Sequence, residues 1–67
     1  MTNTKLGKNL KKARNNAHLT QAQLAEKVGI HVNFYARIER GEADASLETM
    51  KTILKILKIK SSEVFPF

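Results

Sequence analysis

The chain has no cysteine and no tryptophan, one proline and three glycines among its 67 residues. Without cysteine there is neither a disulfide nor a thiolate metal site, so stability has to come from packing, helped by self-association; this suits a reducing compartment. No apolar stretch approaches the ~20 residues needed to cross a bilayer, and the N-terminus is polar where a secretory leader is apolar. The expectation is a soluble, cytoplasmic protein with no membrane partner. A chain this short is expected to form one domain, near the size at which a single core only just offsets the entropy lost on folding. A deep catalytic pocket does not fit in it. No nucleophile stands with a base, no carboxylates cluster and no phosphate loop appears, so no enzyme is expected and no cofactor or small-molecule ligand is implied. His18 and His31 lie on separate segments with no cysteine or paired carboxylate to complete a metal site.

Acid is missing from one end. Residues 1–20 carry Lys5, Lys8, Lys11, Lys12 and Arg14 against no carboxylate, whereas residues 21–50 carry Lys27, Arg37 and Arg40 against Glu26, Glu39, Glu42, Asp44 and Glu48. The tail from Lys51 is basic again, and the whole chain is +6. Such a balance attracts polyanions, nucleic acid or an anionic membrane surface, although each lysine taken singly reads equally well as solvated surface.

What is present is helical periodicity. Leu6, Leu10, Ala13 and Ala17 recur at i, i+4, i+7 and i+11, which predicts an amphipathic helix over Thr4 to Ala17 with a basic outer face. Thr20 with Gln23 three residues on has capping-box spacing, and Leu24, Ala25 and Val28 mark the buried stripe of a second helix, about 20–28. Gly29 stops it and turns the chain sharply into a third, about 31–40, which Gly41 stops in turn. After a polar connector, Ser46 is a candidate N-cap for a fourth helix with Leu47, Met50, Ile53, Leu54 and Leu57 inward. The segment "SSEVF" can add one last turn, with Val64 or Phe65 folded onto the core, before Pro66 prevents continuation. The predicted fold is all-α, a compact five-helix bundle without strands.

Two short helices joined across Gly29 fit a helix-turn-helix, in which the second helix enters the major groove of DNA. The stretches "LTQAQLAEKVGI", "YARIERG" and "SLETM" resemble the Cro and phage-repressor class of helix-turn-helix domains, over roughly Leu6 to Phe65. The resemblance implies a lambda-repressor-like bundle spanning 1–67 as a single DNA-binding domain. It implies that the helix after Gly29 is the recognition helix, and that Thr20 and Gln21 stand where the family brings a helix N-terminus to a phosphate. Free amides and the positive end of the helix dipole would meet the anion there. Thr20 is a cap in either case.

On the recognition helix Tyr35 and Ile38 match inward positions, with Phe34 covered one turn before Ile38. Val32, Asn33, Ala36, Arg37 and Arg40 then share the other face. Asn33 can pair with adenine N6 and N7 and Arg37 with guanine O6 and N7, while Val32 and Ala36 lie against thymine methyls. His31 opens the helix as a cap, a phosphate contact or both. Arg40 has two readings, a phosphate contact or a complement to the helix dipole, and Lys8 is a candidate phosphate contact. The resemblance also pairs Arg14 with Glu39 in a partly buried salt bridge between the first and third helices, a phosphate contact being the rival role for Arg14. Two departures stand out: the acidic connector "EADAS", whose Glu42 and Asp44 repel phosphate, and Lys58, where relatives often have glycine and where the chain has to take a left-handed turn or fray.

The implied function is sequence-specific regulation of transcription, as a homodimeric repressor on a pseudopalindromic double-stranded DNA operator with half-sites about 10 base pairs apart. Compact regulators of this type resemble those of phages, plasmids and other mobile elements. Ile56, Phe65 and Phe67 are the dimerisation candidates, being apolar residues that the core need not use up. The alternative is a protein-binding module of the same fold, an antitoxin or antirepressor, favoured by the acidic middle section.

Overall fold

The computed structural model describes residues 4–60, which form helices α1 (Thr4–Asn16), α2 (Gln21–Val28), α3 (Val32–Glu39) and α4 (Leu47–Leu57). Among the described residues there is no strand, and no helix is long and apolar enough to cross a membrane. The expected fifth helix at 61–65 lies outside the described residues, and the described residues form four helices.

Each junction follows from a residue suited to it. Asn16 ends α1 one residue earlier than the periodicity predicts, because the chain bends at His18, which takes a left-handed φ of 61°. Ala17 is therefore exposed in the turn and not part of the buried stripe. Thr20 caps α2 through a complete capping box: its Oγ1 accepts from the Gln23 amide at 3.0 Å, and Gln23 Oε1 accepts from the Thr20 amide at 2.9 Å. Gly29, at φ 88°, donates back to Ala25 and Glu26, and the Ile30 amide reaches the Ala25 carbonyl at 3.0 Å, which closes the last turn of α2 and redirects the chain. Ser46 caps α4, accepting from the Thr49 amide at 3.1 Å. At the other end Lys58 adopts the left-handed conformation, φ 58° and ψ 43°, and α4 closes without fraying. A lysine there bears the steric cost that glycine avoids.

α1 packs on α3, and α2 packs on both α3 and α4. Tyr35, Leu10, Leu24 and Ile53 are fully buried at the centre, surrounded by Leu6, Ala25, Ile38, Met50 and Leu57. Fully burying one such large apolar side chain contributes about 1.5–3 kcal/mol before entropy is subtracted. Leu47 departs from the expected inward stripe: it is 72% exposed at the first position of α4, whereas Met50 in the same turn is buried in the core. It lies in an open apolar groove with Leu6, Ile38, Met50 and Leu54.

Gly7 explains how α1 can lie so close to α3. A Cβ at this position would collide with the Glu39 carbonyl oxygen and come within 2.7 Å of its carbon and 3.0 Å of the Ile38 oxygen. Glycine inside a helix costs about 1 kcal/mol relative to alanine, and here it lets the backbone of α1 touch the C-terminal end of α3.

Candidate nucleic-acid interface

The core leaves one side of α3 uncovered, and the caps decide which groups it presents. Tyr35, Ile38 and Glu39 are buried, while Asn33 and Arg37 are exposed four residues apart on the same face. Val32 and Ala36 are half-buried, and Val32 packs against the core, so these two offer an edge and not a whole side chain to anything outside. Phe34 is half-buried against the core as well. His31 is the N-cap of α3: Nδ1 accepts from the Asn33 amide at 3.0 Å. That bond needs an unprotonated Nδ1 and leaves Nε2 for a partner outside.

The N-terminus of α2 comes to the same side. Thr20 is exposed, and the box that uses the Thr20 and Gln23 amides leaves those of Gln21 and Ala22 without an intrahelical acceptor. Thr20, Gln21, Ala22 and Val32 line one shallow depression with Lys11, Arg14, Asn15 and His18 from the end of α1. The structure thus brings Thr20 and Gln21 beside the start of α3. Lys8 is exposed one turn before Lys11 and does not line this depression. Lys11 and Asn15, to which sequence reasoning gave no role, stand four residues apart on α1 beside Arg14, a spacing that was available to be read; His18 joins them from the turn after the helix, which periodicity does not place.

Beneath the depression is the buried polar centre of the molecule. Arg14 Nε donates to Glu39 Oε2 at 2.7 Å and Nη2 to Oε1 at 3.3 Å, while Nη1 donates to the Leu19 carbonyl at 2.8 Å. Both side chains are nearly sealed, 9% and 4% exposed. This engagement leaves Arg14 facing inward, a structural residue in the free protein. Gln21 Nε2 donates to Glu39 Oε1 at 2.9 Å, so one carboxylate holds the end of α1, the start of α2 and the last turn of α3. Burial works against the Glu39 charge, yet hydrogen bonding from Arg14 and Gln21 holds its carboxyl below the ordinary range. Burial, then the neighbouring Glu39, push the Tyr35 hydroxyl up. That hydroxyl stays neutral and is buried without a well-formed hydrogen bond.

At the other end of α3 the arginines fold onto the connector. Arg40 Nε and Nη2 donate to the two carboxylate oxygens of Glu42 at 3.0 and 3.2 Å, and Arg37 Nη2 reaches the Glu42 carbonyl at 3.4 Å. The Arg40 and Glu42 side chains are 55% and 54% exposed. Arg40 holds the Glu42 carboxyl below its ordinary value, so it stays charged at neutral pH. Of the dimerisation candidates, Ile56 is half-buried against the core, and Phe65 and Phe67 lie outside the described residues. Among the described residues no group of His, Asp and Glu is arranged to hold a metal ion.

A helix-turn-helix family model matches residues 10–64. The chain is 36% identical over 59 residues to the immunity repressor protein of Bacillus phage phi105; the match covers 88% of this chain and 41% of that protein, so the chain spans under half the length of this relative. Among solved structures it is similar to the restriction-modification controller protein C.AhdI from Aeromonas hydrophila, with a TM-score of 0.86 and 29% identity over 92% of this chain and 94% of that one. It is also similar to the clp gene regulator ClgR from Corynebacterium glutamicum, with a TM-score of 0.83 and 25% identity over 88% of this chain and 63% of the other.

Proposed function

This chain belongs to the helix-turn-helix family, and from that premise we propose that it is a sequence-specific DNA-binding regulator of transcription, acting as a dimeric repressor on a pseudopalindromic operator. The observation that carries the reading is the pairing of two surfaces by one buried carboxylate. Glu39 ties Gln21, at the N-terminus of α2, to the helix that presents Asn33 and Arg37. In this reading the Gln21 and Ala22 amides and the second N–H of the Gln21 side chain take a phosphate, with Thr20 capping beside them. Lys8, Lys11 and His31 Nε2 add further phosphate contacts, and α3 lies in the major groove. Asn33 reads adenine, Arg37 reads guanine, and the half-buried edges of Val32 and Ala36 meet thymine methyls. A repressor and two regulators among the similar proteins support a regulator over an enzyme.

Dimerisation places two α3 helices about one DNA turn apart and doubles the contacts made. Ile56, with Phe65 and Phe67, supplies its apolar patch in this reading. The test is selection of sites from randomised duplex DNA, followed by affinity for the winner against scrambled duplex at several salt concentrations. A two-fold symmetric motif bound at least ~1000-fold tighter than scrambled DNA is expected. Weak binding that selects no motif and disappears with modest salt overturns the reading and leaves the protein-binding alternative. Within the operator, Arg37→Ala is expected to lose about 1–3 kcal/mol at one base pair and relax specificity there; an equal loss on every sequence excludes base readout by Arg37.

A further inference from the structure

Resting on the reading of α3 as the DNA-facing helix, we propose that Glu42 is a specificity-determining residue, an internal counter-anion that an arbitrary duplex has to displace from Arg40. The acidic connector repels phosphate beside a surface read as phosphate-binding, and its geometry gives that repulsion a use. Arg40 meets Glu42 through Nε and Nη2, the same planar edge of the guanidinium that would grip a phosphate or a guanine. One edge cannot serve both partners. Residue 42 is also held in place by its own backbone: Gly41 turns the chain back at φ 77°, and the Glu42 amide donates to the Arg37 carbonyl at 2.8 Å. The backbone therefore keeps residue 42 beside the last turn of α3, within reach of Arg40, and the Glu42 main-chain carbonyl takes a long contact from Arg37.

The consequence differs between the two kinds of DNA complex. On an arbitrary duplex only phosphate attraction is gained, and it is reduced by a cation already neutralised and by a carboxylate facing the backbone. On an operator the base contacts hold α3 in one register, in which Arg40 keeps Glu42 as its partner and no displacement is needed. Glu42 thus lowers the background more than the specific affinity. Because both partners are more than half exposed, the competition is easily reversed and modulates binding without blocking it. Asp44, two residues on, carries the same charge but is in no ion pair among the described residues, which makes it the control.

The experiment measures affinity for a random duplex across a salt series, and for the selected operator, in the full chain. It compares wild type, Glu42→Gln, Asp44→Asn, Arg40→Ala and the Arg40→Ala/Glu42→Gln double variant. Glu42→Gln is expected to bind random duplex about 2- to 5-fold tighter and to steepen the salt slope by about 0.9, one more phosphate neutralised. Asp44→Asn has a smaller effect, the gain disappears without Arg40, and the operator gains less than random DNA. Unchanged affinity and slope in Glu42→Gln, a gain that persists without Arg40, or an equal gain on operator and random duplex overturns the inference while leaving the DNA reading intact. No measurable duplex binding by any variant overturns both.

Discussion

Glu39 closes α3 and Glu42 lies just past it, beyond the bend at Gly41, and each holds an arginine with two hydrogen bonds. The first pair is sealed between three helices and shares its carboxylate with Gln21; the second lies open at the end of α3. Similar chemistry has opposite consequences in the two places. A sealed pair cannot exchange its partner for water or phosphate, so it fixes geometry, and losing one member strands the other's charge. An open pair is screened and exchangeable, contributes little to the fold and remains available for business with a passing polyanion.

The sharpest way to break this contrast is Arg14→Ala, expected to destabilise the fold by about 3–5 kcal/mol in a denaturant titration. A loss no larger than that of a surface substitution means that the buried pair is not structural. Gly7→Ala comes next. It adds a methyl between α1 and the Glu39 carbonyl, with an expected loss of about 1–3 kcal/mol from forced overpacking. An unchanged midpoint would show that α1 can move off α3 freely. Acidification separates the carboxylates more gently. Because the folded Glu39 carboxyl lies below its ordinary value of 4.5, its contribution is fully present above that value and is lost as pH falls through the lower folded value. Glu39→Gln is therefore expected to flatten the acid limb of the stability profile in thermal melts, and Glu42→Gln to leave it close to that of wild type. Arg40→Ala should have the smallest effect, an unfolding midpoint indistinguishable from wild type; a clear drop would mean that the open pair also supports the fold.

Much of this fold was legible because its boundaries rest on local chemistry. Thr20 with Gln23, Gly29 and Ser46 each act within four residues of themselves, and such signals survive in a single sequence. The left-handed turn at Lys58 was foreseeable as one of two outcomes. Arg14 and Glu39 were another matter. They lie 25 positions apart, and only a family resemblance suggested the pairing. The link from Gln21 to Glu39, the backbone approach at Gly7 and the clasp of Glu42 on Arg40 had no sequence signal, since each depends on where distant or irregular backbone arrives. Leu47 was misplaced for a related reason: periodicity names the apolar face of a helix but not which of its residues a neighbouring element covers.

The glycine at position 7 has a further consequence, for retargeting. Since α1 meets α3 backbone to backbone, the seat of α3, the recognition helix of the proposed function, does not depend on the outward side chains at Asn33 and Arg37, both exposed. Those residues can be exchanged like the cutting of a key whose shank stays fixed in the lock. A library randomised there should return many folded proteins with new preferences, whereas one randomised at Gly7 should return few that fold at all.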